Sequence, residues 1–145
     1  MAVRDIEGIR ALIPLRYPYL MIDRIIEEEA KRIVALKNVT ANEPFVQGHF
    51  PEPLGAVMPG TLILEAMAQT AAFLALSQED SERQMGYLVG VDKARFRRRI
   101  VPGDQLRIEA RLTRRRQGLL QAALTVSVDG ETAASATISL ILQGA

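Results

Sequence analysis

The sequence has no cysteine and no tryptophan, a single histidine, and only 5% aromatic residues. Without cysteine there can be no disulfide, no thiolate nucleophile and no thiolate metal ligand, and nothing demands an oxidising compartment. With one histidine, any metal site would have to be built from clustered carboxylates, and the chain contains no such cluster; neither a metal nor any other cofactor is expected. Few aromatics and a pI near 8.1 argue against a nucleic-acid-binding module, which is usually more basic. The longest apolar stretch falls short of the roughly 20 residues a membrane helix needs, so no membrane insertion is expected. The opening residues, MAVRDIEGIR, lack the apolar core of a signal peptide, and a cytoplasmic protein is expected. There is no internal repeat or low-complexity tract, and 145 residues suit one domain spanning 1–145.

The net charge of +1 conceals a local asymmetry: residues 93–116 hold ten of the 18 lysines and arginines but only two acids, Asp104 and Glu109. Such a segment is either a surface for an anionic partner or a solvated strand face, and composition alone does not decide between them.

Residues 20–28 and 32–40 are rich in β-branched side chains and read as a strand hairpin. Between Asn42 and Gly60 lie four prolines and three glycines, which break helix and ladder alike and mark a loop. Residues 61–76, TLILEAMAQTAAFLAL, contain neither Gly nor Pro and are apolar at twelve of sixteen positions, predicting a helix buried nearly all round. Residues 77–83 form a polar exit from it. Strands are predicted at 87–92, 104–112, 119–128 and 132–142, with Leu106, Ile108, Ala110 and Leu112 alternating against Arg107, Glu109 and Arg111. Asp129-Gly130 supplies a tight turn between the last two. The class is therefore α+β: one long helix against an antiparallel sheet of five to seven strands. A helix apolar on every side needs either a curling sheet or a second subunit to cover it.

Three features could carry chemistry. His49 stands between Gly48 and Phe50-Pro51 in the loop, and an imidazole, titrating ordinarily at about pH 6.5, can take a proton in one step and return it in another. As a lone loop histidine it reads more readily as an exposed or structurally bonded side chain. Glu65 lies in the second turn of an otherwise apolar helix, where a carboxylate is costly unless paired, protonated or functional. Gln69, four residues on, shares its face and can hydrogen-bond to it; the alternative is a narrow solvent stripe. Third, Met58-Pro59-Gly60-Thr61 leaves the first helical N–H groups without intrahelical partners, so that Gly60 N–H could hold a carbonyl oxygen as negative charge develops on it. By itself, Pro-Gly before a helix is ordinary punctuation.

The stretches Arg16-Tyr17-Pro18, Ile22-Asp23-Arg24, Lys37-Asn38-Val39-Thr40, Asn42-Glu43-Pro44-Phe45, Gln47-Gly48-His49-Phe50-Pro51, Met58-Pro59-Gly60, Leu64-Glu65-Ala66-Met67-Ala68-Gln69, Asp92-Lys93-Ala94-Arg95-Phe96-Arg97 and Val101-Pro102-Gly103-Asp104-Gln105-Leu106 run through nearly the whole chain. In that order they resemble the bacterial 3-hydroxyacyl-acyl-carrier-protein dehydratases of the FabZ type. The resemblance implies a hotdog fold, in which a curved antiparallel sheet wraps a central helix, and an obligate homodimer, often a trimer of dimers. It implies dehydration of (3R)-hydroxyacyl thioesters to trans-2-enoyl thioesters in fatty acid biosynthesis, with His49 as base and Glu65 as acid across the dimer interface. Gly60, Phe50, Gln69 and Tyr87 would meet the substrate, Tyr87 aligning with a residue that gates the acyl tunnel in some relatives. The partner would be acyl carrier protein bearing the phosphopantetheine thioester, docking on Lys93, Arg95, Arg97, Arg98 and Arg99, with Arg114, Arg115 and Arg116 secondary.

Two departures from the family pattern stand out. Leu15 occupies the place of a family histidine, and the linker Pro51–Val57 is about two residues longer than usual; the insertion is expected to bulge at the surface. Two other readings compete: a hotdog thioesterase, which would activate water with a carboxylate, and a non-catalytic carrier-binding protein.

Overall fold

The computed structural model describes residues 3–48, 55–77 and 84–144. His49, Phe50 and linker residues 51–54 lie outside the described residues, as does the polar exit from 78 to 83.

Six strands form one antiparallel sheet in the order β1-β2-β4-β5-β6-β3. They are β1 (Arg24–Glu29), β2 (Arg32–Asn38), β3 (Gln84–Phe96), β4 (Gln105–Arg116), β5 (Leu119–Val128) and β6 (Glu131–Gly144). The predicted alternation holds in β4: Leu106, Ile108 and Ala110 are fully buried while Arg111 is exposed. Hairpins β4–β5 and β5–β6 turn on Gln117-Gly118 and Asp129-Gly130, all four at positive φ, the geometry that matches the twist of the flanking strands.

The long helix, α2 (Gly60–Leu76), begins after Pro59 and ends at Ser77. Ala, Leu and Met throughout its length favour the conformation. The sheet curls over it, so that α2 touches β2 through β6; this is the hotdog arrangement. Ile63, Ala66, Met67, Ala71, Phe73 and Leu74 enter the common core. Burial all round, as the composition predicts, is not reached: Thr61 is exposed, and Leu62, Leu64, Glu65, Ala68 and Ala72 are half-buried. Of these, Thr61, Glu65, Ala68 and Ala72 recur at helical spacing and form one stripe that this chain covers only in part.

A short helix that the sequence pattern does not announce, α1 (Ile6–Leu12), packs against α2 and β1. Its signals were local: Asp5 caps Gly8 N–H at 3.0 Å, and Ile6, Ile9 and Ile13 lie three and four residues apart. Seven residues are too few to stand out by periodicity.

The two sheet edges differ. Along β1, Arg4 and Ile25 exchange backbone hydrogen bonds at 3.0 Å, so the N-terminal segment covers that edge. Along β3 no described strand does so. There Tyr87, Leu88 and Val89 are all about half exposed, at 49%, 54% and 53%. The run of three breaks strand alternation at a bulge, where register with β6 shifts between Leu88 and Gly90.

Candidate functional site

β3 runs alongside α2, and two contacts bracket their shared face. At one end, a side chain on Gly86 would lie 3.6 Å from Ala72; at the other, a side chain on Gly60 would lie 3.3 Å from the Phe96 ring. Glu65 lies on α2 between them. The stripe of Thr61, Glu65, Ala68 and Ala72 therefore borders an open strand edge.

Glu65 is held from its own helix. Gln69 Nε2 donates to Glu65 Oε2 at 2.9 Å, as the four-residue spacing allows. Gln69 is itself 2% exposed, and its amide is fixed by the chain that leads into β1. Its Nε2 also donates to the Tyr19 carbonyl at 2.6 Å, and its Oε1 accepts from Met21 N–H at 2.7 Å. The sequence reading foresaw the Glu65–Gln69 bond but not the segment that anchors it. Tyr19 N–H donates to the Arg16 carbonyl at 2.8 Å, and the Arg16 guanidinium donates back to the carbonyls of Ile13 and Leu15 at 2.8 Å and of Arg10 at 3.1 Å. Leu15 packs against the core.

The N-terminus of α2 opens on a groove of about 440 Å³ lined by Val57, Met58, Gly60, Ile63, Phe96, Arg97, Arg98, Arg99 and Ile100. No side chain caps this helix, and Gly60, at the positive end of the helix dipole, lines the groove. Three of the five basic residues singled out from the sequence line the same groove. Arg97 and Arg99 have no acidic partner among the described residues, whereas Arg98 is engaged by Asp104 at 3.4 Å. Lys93 stands on a second bulge of β3, at φ 54, exposed. Arg95 is exposed too, and Tyr87 lies at the far end of the same strand, remote from the groove.

A second cavity, of about 340 Å³, lies beside the Gln69 anchor and is lined by Tyr17, Tyr19, Leu20, Phe45 and Leu62, with Lys37 and Glu43 among its walls. Lys37 points inward from β2, 6% exposed, and its Nζ forms an ion pair with Glu43 Oε1. Glu43 immediately precedes the 3-10 turn Pro44–Gln47, which leads to Gly48 and His49. Among the described residues no group of acids and histidines could hold a metal, and no helix is long and apolar enough to cross a membrane.

A half-buried carboxyl held on the central helix of a hotdog fold marks the region of the candidate site. Comparison with known proteins supplies the family. The FabA-like domain family matches residues 13–137. The chain is 52% identical over 136 residues to the 3-hydroxyacyl-[acyl-carrier-protein] dehydratase FabZ of Polynucleobacter asymbioticus, covering 93% of this chain and 90% of that one. It is 48% identical over 139 residues to the FabZ of Exiguobacterium sibiricum, covering 95% and 98%. Among solved structures, a chain of the dehydratase heterocomplex ApeI:P from Xenorhabdus doucetiae superposes with a TM-score of 0.79 at 16% identity, over 94% of this chain and 91% of that one. The PaaI protein from the phenylacetic acid degradation operon of E. coli superposes at 0.64 and 17% identity, over 81% and 80%; at such identities these two speak for the fold alone. The chain belongs to the FabA-like family, among its FabZ-type bacterial dehydratases.

Proposed function

We propose that this protein, as one hotdog domain over its whole length, dehydrates (3R)-hydroxyacyl-[acyl-carrier-protein] to the trans-2-enoyl thioester in fatty acid biosynthesis. The observation that carries the reading is Glu65, a carboxyl held by a buried amide on an otherwise apolar helix, in a chain 52% identical to a named dehydratase. His49 Nε2 or Nδ1 takes the proton from C2, and the electrons form the C2–C3 double bond. Glu65 gives its proton to the C3 hydroxyl, which leaves as water. Negative charge grows on the thioester oxygen while the C2 proton departs, and Gly60 N–H at the positive end of α2 is the donor suited to it. The resting state returns when His49 passes its proton back to Glu65 through solvent.

The site is completed by a second copy. The stripe bearing Glu65 and the adjoining β3 edge, with Tyr87, Leu88 and Val89 outward, are what an isologous dimer would bury. In that dimer His49 serves the partner's Glu65, and Phe50 and Tyr87 line the acyl path. Lys93, Arg95, Arg97 and Arg99 receive the acidic carrier protein at the mouth of the groove, with Arg98 shared with Asp104. A cytoplasmic site of action fits a soluble carrier substrate.

The test is turnover of crotonyl and longer enoyl thioesters by wild type, His49→Ala and Glu65→Gln. Hydration without thiol release, lost in both variants, is expected. Thiol release by wild type would favour a thioesterase, and retained hydration in either variant would remove that residue from the mechanism.

A further inference from the structure

The Gln69 amide has no freedom of assignment. Met21 N–H can only donate, so the atom facing it is the carbonyl oxygen, at 2.7 Å; the Tyr19 carbonyl can only accept, so the atom facing it is Nε2, at 2.6 Å. Two backbone groups, forty-eight and fifty residues distant in sequence, thus set the orientation of a side chain that is 2% exposed. Its remaining N–H then points at Glu65 Oε2, 2.9 Å away. Both amide hydrogens are committed within the chain, leaving none for a substrate.

We infer that Gln69 is a positioning residue that occupies Oε2 of Glu65 as an acceptor, leaving Oε1 as the oxygen that carries and delivers the acid proton. A carboxyl proton on Oε2 would face an amide N–H, donor against donor, and that arrangement is repelled. The clamp therefore selects which oxygen is protonated and turns the proton away from the Gln69 amide. Proton transfer falls off steeply once donor and acceptor leave hydrogen-bond reach, so a carboxyl free to rotate spends little time in the productive pose. The clamp originates outside α2: the backbone of Tyr19 and Met21 holds Gln69, and Gln69 holds Glu65.

This inference rests on the dehydratase reading, and the experiment separates the two. Wild type is first assayed for hydration of crotonyl thioester; absence of turnover defeats that reading. Given turnover, Gln69→Met, which keeps the volume and removes every donor, is expected to lower kcat by about tenfold or more while KM stays within about twofold. A raised KM with unchanged kcat would show that Gln69 grips substrate, and an unchanged kcat that the clamp is idle; either overturns the inference. Gln69→Asn, which keeps an amide but is too short to span all three partners, is read the same way should the Met variant fail to fold. A loss caused only by general destabilisation is recognised in a Glu65→Asp background, whose shorter carboxyl has already left the clamp. There Gln69→Met is expected to cost less than about threefold. The same factor in both backgrounds would refute action through Glu65.

Discussion

Lys37 is the one lysine in the core-facing row of β2, in line with Ile33 and Ala35, and Lys37→Met tests what its ion pair does. Methionine matches the stem of lysine and loses only the ammonium, so packing is nearly preserved. What remains is the Glu43 carboxylate, its side chain 15% exposed, in a cavity walled largely by Tyr17, Pro18, Leu20, Phe45 and Leu62. Stranding one member of a buried pair ordinarily costs about 3–5 kcal/mol. The cavity is open on one side, which lets water reach Glu43, so the low end, about 3 kcal/mol, is the better figure. For a chain of this size 1 kcal/mol moves Tm by roughly 3 °C, giving an expected fall of about 9 °C by calorimetry or circular dichroism. The double variant Lys37→Met, Glu43→Gln removes the stranded charge and should recover at least half of that loss, because a buried pair contributes little net of its desolvation. A single variant melting within about 3 °C of wild type, or a double variant no more stable than the single, would refute the reasoning.

Four further outcomes follow from the geometry. Gly60→Ala places a methyl 3.3 Å from Phe96 Cε1 and Cζ; the half-exposed ring can yield, so stability should change by less than about 1 kcal/mol while turnover falls, and unaltered kcat/KM would exclude the groove from the reaction. Glu27 is held below the usual carboxylate range by its bond to Arg32 and then by Arg107; in Glu109 burial pushes the carboxyl up, but Arg32 and Arg111 outweigh it and the net direction is down. Both depressed carboxyls add stability that is full above the unfolded value of about 4.3 and lost as pH falls through the folded values, so the urea midpoint should drop more steeply below pH 4 in wild type than in Arg32→Gln; parallel curves would contradict this. Val89→Lys should convert a dimer to monomers in light scattering and abolish hydration together, and an active dimeric variant would rule out the β3 edge as the interface. Arg97→Glu and added salt should slow carrier-linked turnover but spare a small thioester, because a charged rim acts on encounter; equal effects on both substrates would count against docking there.

Much of this architecture is legible in the sequence. The Ala- and Leu-rich run without Gly or Pro announced α2 to within a residue, because helix propensity and a long uninterrupted segment are local properties. The alternation from Leu106 to Ala110 announced β4 for the same reason, and Asp129-Gly130 its neighbouring turn. The Glu65–Gln69 bond followed from helical spacing alone. Strand ends were less legible: β3 runs to Phe96, beyond the predicted Asp92, because the bulge at Lys93 lets the ladder with β6 resume, and a bulge depends on the partner strand.

What the sequence by itself determined, then, was the periodic elements and the chemical character of the residues they carry, since period and residue type act over a few neighbours. Only the tertiary structure decided the order of strands in the sheet, the partly covered stripe on α2, the pairing of Lys37 with Glu43, and the meeting of Gln69 with Tyr19 and Met21. Those depend on closing loops of up to fifty residues, and the partner of a buried polar group is chosen by whichever distant backbone the packed core brings within hydrogen-bond reach.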